Sequence, residues 1–264
     1  MSTASIVQER NGAVAILRID RQHAANALAE PDLEQLASGL SGYLADPEVR
    51  GIILTGSGEK FFCAGADIAE LAGNVPDIGA HLAYWHRVVD LLETSEKPVI
   101  AALNGVAVGG GFELALACHL RVAASHARVG LPELRFGMFP AAGGIRRLTK
   151  LIGAGKTRDL VLSAELIPAD QAHVLGIVER IAASADLASV TLSVACQWAR
   201  FEPNAVRAVL MCAHAAENRT DTNDLETKLF QDCYATERNR ELLRDFRAQS
   251  SRQRPAPSKQ EVIQ

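Results

Sequence analysis

Short runs of β-branched and aliphatic residues alternate with segments of helical period as far as about Leu187, and beyond that point only the helical period remains. Alternation of this kind calls for crossover connections, and so for an α/β arrangement of strands and covering helices. Residues 13–19 follow the turn pair Asn11-Gly12 and close at Asp20, which marks a strand. Residues 52–54, between Gly51 and the Gly56-Ser57-Gly58 loop, read as a buried strand, and residues 99–103 (after Pro98) and 120–124 as two more. Leu33, Leu36, Leu40 and Leu44 recur at helical spacing; Leu82, Trp85, Val88, Val89 and Leu92 form one face of a helix over 81–93; residues 112–118 are strong helix formers. Residues 190–198, 204–214 and 224–234 then read as helices. The expectation is a core over 1–188 and a helical C-terminal region over 189–264, ending in a loose tail from about 254 that carries Pro255 and Pro257.

With 264 residues, 48% of them hydrophobic, the chain can bury a sizeable core. A formal net charge of -4 provides no general attraction to nucleic acid or anionic membrane. The basic cluster from Arg238 to Arg254 reads as a solvated helix face. The first ten residues hold no apolar stretch, so no signal peptide is expected. No run approaches the roughly 20 apolar residues of a membrane helix. Five widely spaced cysteines without a Cys-x-x-Cys suit a reducing compartment. The expected setting is the cytoplasm, with no membrane or nucleic-acid partner.

Three segments hold the chemistry. The first is Phe61-Phe62-Cys63-Ala64-Gly65-Ala66-Asp67-Ile68, where small residues between a strand and a helix let backbone N–H groups approach a ligand; by itself it reads more readily as an ordinary turn with Asp67 as helix cap. The second runs from Asn104 to Glu113 through Gly109-Gly110-Gly111. Glycines before a helix expose N–H donors suited to a developing oxyanion, and Glu113 falls in the first turn, where the dipole favours a carboxylate. The third spans 130–144, rich in Gly and Pro, with Glu133 among apolar neighbours that could raise its pKa.

In order and spacing these segments resemble the enoyl-CoA hydratase/isomerase (crotonase) superfamily, and the resemblance covers nearly the whole chain. It begins at Ala25-Asn26-Ala27-Leu28 and continues through Gly176-Ile177-Val178 to Ala235-Thr236-Glu237. It implies the crotonase (ClpP-like) fold, with repeated ββα units forming two roughly perpendicular sheets and a helical C-terminal trimerisation region, and assembly as homotrimers or homohexamers. It implies an acyl-CoA substrate, no metal and no cofactor. The family's oxyanion-hole amides fall on Ala66 and Gly110, and its two hydratase glutamates on Glu113 and Glu133. Members that only isomerise double bonds usually keep the acid at the position of Glu133 and lose the other, so the pair favours a hydro-lyase. Coenzyme A contacts fall on Ala24, Ala25, Ala64, Ala66, Asp67 and Ile68, with Phe246 matching an aromatic of the C-terminal helix.

The sequence departs from the family at Gln22-His23, where many members have Pro and Lys, at Gln249, where a lysine often meets the 3′-phosphate, and at Ala141, where a glycine amide often holds the catalytic water. Arg247 or Arg252 could replace the missing charge. Leu71 to His86, Phe112 and Phe139 fall where the acyl group is selected. An isomerase, a hydrolase or a ring-processing lyase remains an alternative, as does an RNA-binding member of the family. Gly153-Ala154-Gly155-Lys156-Thr157 ends like a P-loop but has Lys150 where a glycine is required, and reads as a helix-breaking loop. Cys63 reads as a small buried residue, and His81 and His86, five apart, as surface or packing residues.

Overall fold

The structure is a computed structural model that describes residues 5–73, 75–218 and 221–252, apart from the side chains of 246 and 248–252. In chain order the elements are β1 (Ile6–Asn11), β2 (Val14–Ile19), α1 (Glu30–Ala45), β3 (Gly51–Gly56), β4 (Phe61–Cys63), α2 (Ile68–Ala72), α3 (Ile78–Glu93), β5 (Val99–Leu103), β6 (Val106–Val108), α4 (Gly110–Ala117), β7 (Leu120–Ala124), β8 (Arg128–Gly130), α5 (Gly144–Ser163), β9 (Ile167–Pro168), α6 (Ala169–Val174), β10 (Arg180–Ala182), α7 (Leu187–Ala199), α8 (Pro203–Glu217), α9 (Asn223–Tyr234) and α10 (Glu237–Arg252). A six-stranded sheet has the order β1-β2-β3-β5-β7-β10, parallel except for β1. A four-stranded sheet has the order β4-β6-β8-β9, parallel except for β9.

The chain visits the two sheets in turn. β3, β5 and β7 lie in the large sheet, and each is followed within a few residues by β4, β6 or β8 in the small one, then by a helix. This ββα repeat is the one the resemblance implies. At each switch the backbone leaves one set of hydrogen bonds before joining the next, and two asparagines satisfy the groups exposed at the first corner. Asn104 accepts from the Gly56 N–H (2.9 Å) and donates to the carbonyls of Gly58 (2.8 Å) and Phe61 (3.0 Å). Asn26, fully buried, donates to Ser57 (3.1 Å) and Phe61 (2.8 Å).

The core lies between the large sheet and its helices, where Leu17, Leu33, Leu54, Leu92, Ile100 and Phe112 are fully buried. The strands expected over 99–103 and 120–124 are β5 and β7, and the helices expected over 81–93 and 190–198 lie within α3 and α7. All described elements after β10 are helical. The expected tail from about 254 lies outside the described residues. α5 was legible only as a break: its path turns at Gly153 (φ 78, ψ 159), but helix resumes through Ser163. The five cysteines are free. Among the described residues no helix is long and apolar enough to cross a membrane.

Gly56 marks where the sheets meet. A Cβ there would lie 2.4 Å from the Phe62 carbonyl oxygen and 2.5 Å from that of Phe61, so the corner cannot hold a side chain without separating β3 from β4. Gly56→Ala is expected to cost about 1–3 kcal/mol or more, as overpacking does. Urea denaturation checks this, and an unchanged midpoint and slope would contradict it.

Candidate functional site

Ala66 follows β4 and forms a short parallel bridge with Leu28. The Leu28 N–H donates to the Gly65 carbonyl (2.8 Å), and the Asp67 N–H donates to the Leu28 carbonyl (3.0 Å). These bonds flank Ala66 without using its amide. Gly65 makes the turn at φ +89, a region disfavoured for residues with a Cβ. The second amide belongs to Gly110, the first residue of α4, which has no intrahelical acceptor. Its N-cap, Gly109, holds φ 55, and the Gly109 N–H donates to the Gly130 carbonyl (3.1 Å).

The two segments touch. A Cβ on Gly65 would lie 3.0 Å from the Gly110 nitrogen and 3.0 Å from the Val108 carbonyl oxygen. Gly110 is backed by the Trp85 ring of α3, which a Cβ would approach to 2.6 Å. Two main-chain donors without partners among the described residues, on segments in contact, suit an oxygen that gains negative charge during reaction.

Both glutamates reach this place. Glu113 lies in the first turn of α4 and is 3% exposed. Its Oε1 accepts the Gly144 N–H at 2.7 Å, so the carboxyl faces the N-terminus of α5. Burial raises its pKa above the ordinary value, opposed by the Gly144 and Ala142 amides and by the nearby Arg147. Glu133 opens a 3-10 turn, Glu133–Phe136, and its Oε1 lies against Gly109, where a Cβ would be 3.3 Å away. Its Oε2 is buried, with no hydrogen-bond partner among the described residues. Burial, with a smaller contribution from the Glu113 charge, pushes Glu133 up to about 7. The loop between Glu133 and α5 is tied down by His86, whose Nε2 meets the Ala141 carbonyl at 2.8 Å, and by Arg147, which donates to the Ala142 carbonyl at 2.6 Å.

The residues expected to contact coenzyme A cluster around the Leu28–Ala66 bridge. Ala24 closes a 3-10 turn and Ala25 follows it with φ 55; the Ala25 carbonyl accepts the Ala64 N–H at 3.2 Å. Asp67 caps α2 by accepting the Ala69 N–H at 3.0 Å, and its carboxyl pairs with Arg21 at 3.1 Å. Burial alone would raise the Asp67 pKa; the Arg21 hydrogen bond and the Ala69 and Glu70 amides outweigh it and lower it. Ile68, 53% exposed, starts α2. Ala141 lies on the loop between the two acids. The side chains of Phe246, Gln249 and Arg252 lie outside the described residues. Phe112 is fully buried in the core, while Phe139 is exposed.

Cys63 is buried, and burial pushes its thiol up to about 12, which removes it as a nucleophile at neutral pH. Among the described residues two side-chain groups bring metal-type ligand atoms within 4.8 Å of one another: Glu30, Glu70 and His81, and Glu93, His214 and Glu217. Ordinary pairing accounts for both. His81, expected at the surface or in packing, is buried with its Nδ1 3.1 Å from Glu30, and Glu93 is held by Arg146 and Arg147. Sequence reasoning missed the supporting roles of Arg21, Trp85, His86 and Gly144. Trp85 was visible only as part of a helix face, and for Arg21 there was no local signal.

Comparison with known proteins places these features in context. The chain matches the family described as "Enoyl-CoA hydratase/isomerase" over residues 9–252. It is 36% identical over 253 residues to the short-chain-enoyl-CoA hydratase of Clostridium acetobutylicum, covering 93% of this chain and 95% of that protein. It is 35% identical over 252 residues to the crotonyl-CoA hydratase of Syntrophomonas wolfei, covering 93% and 96%. The crystal structure of enoyl-CoA hydratase from Bacillus anthracis superposes with a TM-score of 0.89 at 33% identity, over 93% of this chain and 96% of that one.

The Glu133 environment has a consequence for stability. Its ordinary value is 4.5, so between about pH 4.5 and about pH 7 the unfolded chain releases this proton before the folded protein does. The stability carried by the neutral carboxyl is complete below the lower value and is lost as pH rises through the upper one. Glu133→Gln should differ little from wild type in Tm near pH 4.5 and should gain on it steadily towards pH 7. A difference independent of pH would contradict this.

Proposed function

Since the chain belongs to the enoyl-CoA hydratase/isomerase family, we propose that it is an enoyl-CoA hydratase, adding water reversibly to a trans-2-enoyl-CoA to give a 3-hydroxyacyl-CoA. The observation that carries this reading is that Glu113 lies in the first turn of the helix Gly110 opens, and that Glu133 rests against Gly109 near enough to feel the Glu113 charge. An isomerase shifts a proton between two carbons and needs one acid; hydration needs a group for the water and a group for the carbon. The named hydratase relatives support the same choice.

In this mechanism the thioester oxygen takes hydrogen bonds from the Ala66 and Gly110 N–H groups, which stabilise the enolate-like charge that develops as water adds. In its ionised form Glu113, held by the Gly144 amide, accepts a proton from water as the water oxygen bonds to the β-carbon. Glu133, which its raised pKa keeps partly protonated near pH 7, gives its proton to the α-carbon in its neutral form. Atoms and charge balance: hydroxide and proton are added across the double bond, Glu113 ends protonated and Glu133 ionised, and proton exchange between the pair restores the start. The exposed apolar side chains of the C-terminal helices, Val209, Phe230 and Tyr234, fit the trimeric or hexameric assembly implied by the resemblance.

Glu113→Gln and Glu133→Gln should each lower kcat for hydration of crotonyl-CoA by about 100-fold or more, the scale of general acid–base catalysis. The assay follows loss of the conjugated thioester absorbance. Normal turnover in both variants would end this mechanism. Because Glu133 must be protonated to act in the hydration direction, kcat/KM should fall as pH rises beyond about 7, and Glu133→Gln should lack that limb. A screen of enoyl-CoA chain lengths would define the acyl preference.

A further inference from the structure

We infer that Arg21 is a positioning residue for the Ala66 amide, acting as a strut across the Leu28–Ala66 bridge; this deepens the hydratase reading and rests on it. The bridge leaves the Ala66 N–H free only while Leu28 stays in register with Gly65 and Asp67. Arg21 reaches both sides of that bridge. One guanidinium nitrogen donates to the carbonyl of Ala27, the residue before Leu28, and lies 3.0 Å from Asp32 of α1. The other lies 3.1 Å from Asp67, the residue after Ala66. The Arg21 main chain also holds Asn26: its N–H donates to the Asn26 side chain (3.0 Å) and its carbonyl accepts the Asn26 N–H (2.9 Å).

All three side chains are largely shielded, with Arg21 18%, Asp32 10% and Asp67 18% exposed, so these contacts are less screened than a surface pair. The planar fork of arginine meets a carbonyl and two carboxylates from two separated nitrogens, a span the compact ammonium of lysine does not have. Asp32 is oriented in turn by the Ser5 hydroxyl and the Ala29 N–H (2.9 Å), so the strut is anchored in α1. The expected consequence is selective. Charge on the thioester oxygen is greatest in the transition state, so a displaced donor reduces kcat more than it weakens binding.

The test uses the full-length protein with Arg21→Met, Arg21→Lys and Asp67→Asn, and Arg18→Met, from the exposed Arg18–Glu9 pair, as control. Asparagine at 67 keeps a side-chain oxygen for the α2 cap while removing the charge that faces Arg21. Two quantities are read: kcat and KM for crotonyl-CoA, and the red shift in absorbance of a bound conjugated dienoyl-CoA, which reports polarisation of the thioester carbonyl. Arg21→Met should lower kcat by about 10- to 100-fold, less than outright loss of a donor, with KM changed far less and the red shift reduced. Arg21→Lys should not restore either quantity, and Asp67→Asn should move both in the same direction by less. Arg18→Met should match wild type. Circular dichroism establishes folding; if Arg21→Met does not fold, Arg21→Lys and Asp67→Asn decide the question. Folded Arg21 variants with wild-type kcat and red shift would overturn the inference, whether or not their KM had risen. A wild type that shifts the dienoyl-CoA spectrum yet hydrates no enoyl-CoA would sink the hydratase reading and leave Arg21 to be judged by the shift. No shift in the wild type would sink both.

Discussion

Two stretches of backbone that lack side chains press together where β4 and β6 end, and the rest of the site is arranged around that contact. Gly65 sits against the Gly110 nitrogen with no room for a Cβ at normal distance. Main-chain amides can be left unpaired here because each belongs to a place where regular pairing stops: the skipped position of a bridge and the first turn of a helix. Supporting residues keep both from collapsing onto protein acceptors. Trp85 forms the wall behind Gly110, and the Leu28 main chain grips both neighbours of Ala66.

The carboxyls depend on the same contact. Gly109 is the N-cap of the helix that carries Glu113, and it is also the surface against which Glu133 rests. One turn of chain therefore sets the positions of an amide donor and of both acids. Their environments differ in kind. Glu113 is nearly sealed but accepts a hydrogen bond from the first residue of α5, while Glu133 has an oxygen with no donor to it. Desolvation favours the neutral form in both, and the amides at Glu113 oppose it. That contrast is what the proposed division of roles between the two acids rests on.

The legible parts of the fold were those whose pattern is long enough to have a period. β5 and β7 are buried along their whole length, β5 as an unbroken apolar run and β7 as one interrupted by Arg121; α3 shows one apolar face. The small sheet was not legible, because β4, β6, β8 and β9 have only two or three residues each, too few for alternation to appear. β1 carries Gln8, Glu9 and Arg10 on an exposed edge and resembles a loop in composition. The glycine and carboxylate positions could be named because glycine runs and isolated acids are local features, and the family resemblance supplied their roles. Arg21 could not: its partners are 11 and 46 residues away, and nothing in its neighbours announces them.

By itself the amino-acid order determined the α/β alternation, the change to helices after the core, the family and the identity of the small and acidic residues at the site. Local propensity, hydrophobic period and motif spacing are properties of neighbours along the chain, so they survive in the sequence. Only the tertiary structure decided that one Glu133 oxygen is shielded from solvent without a partner among the described residues, that Glu113 faces the end of α5, and that an arginine spans the bridge beside Ala66. Each of these is a matter of what lies a few ångströms away in space, and desolvation, charge and hydrogen bonding act across that distance without regard to position along the chain.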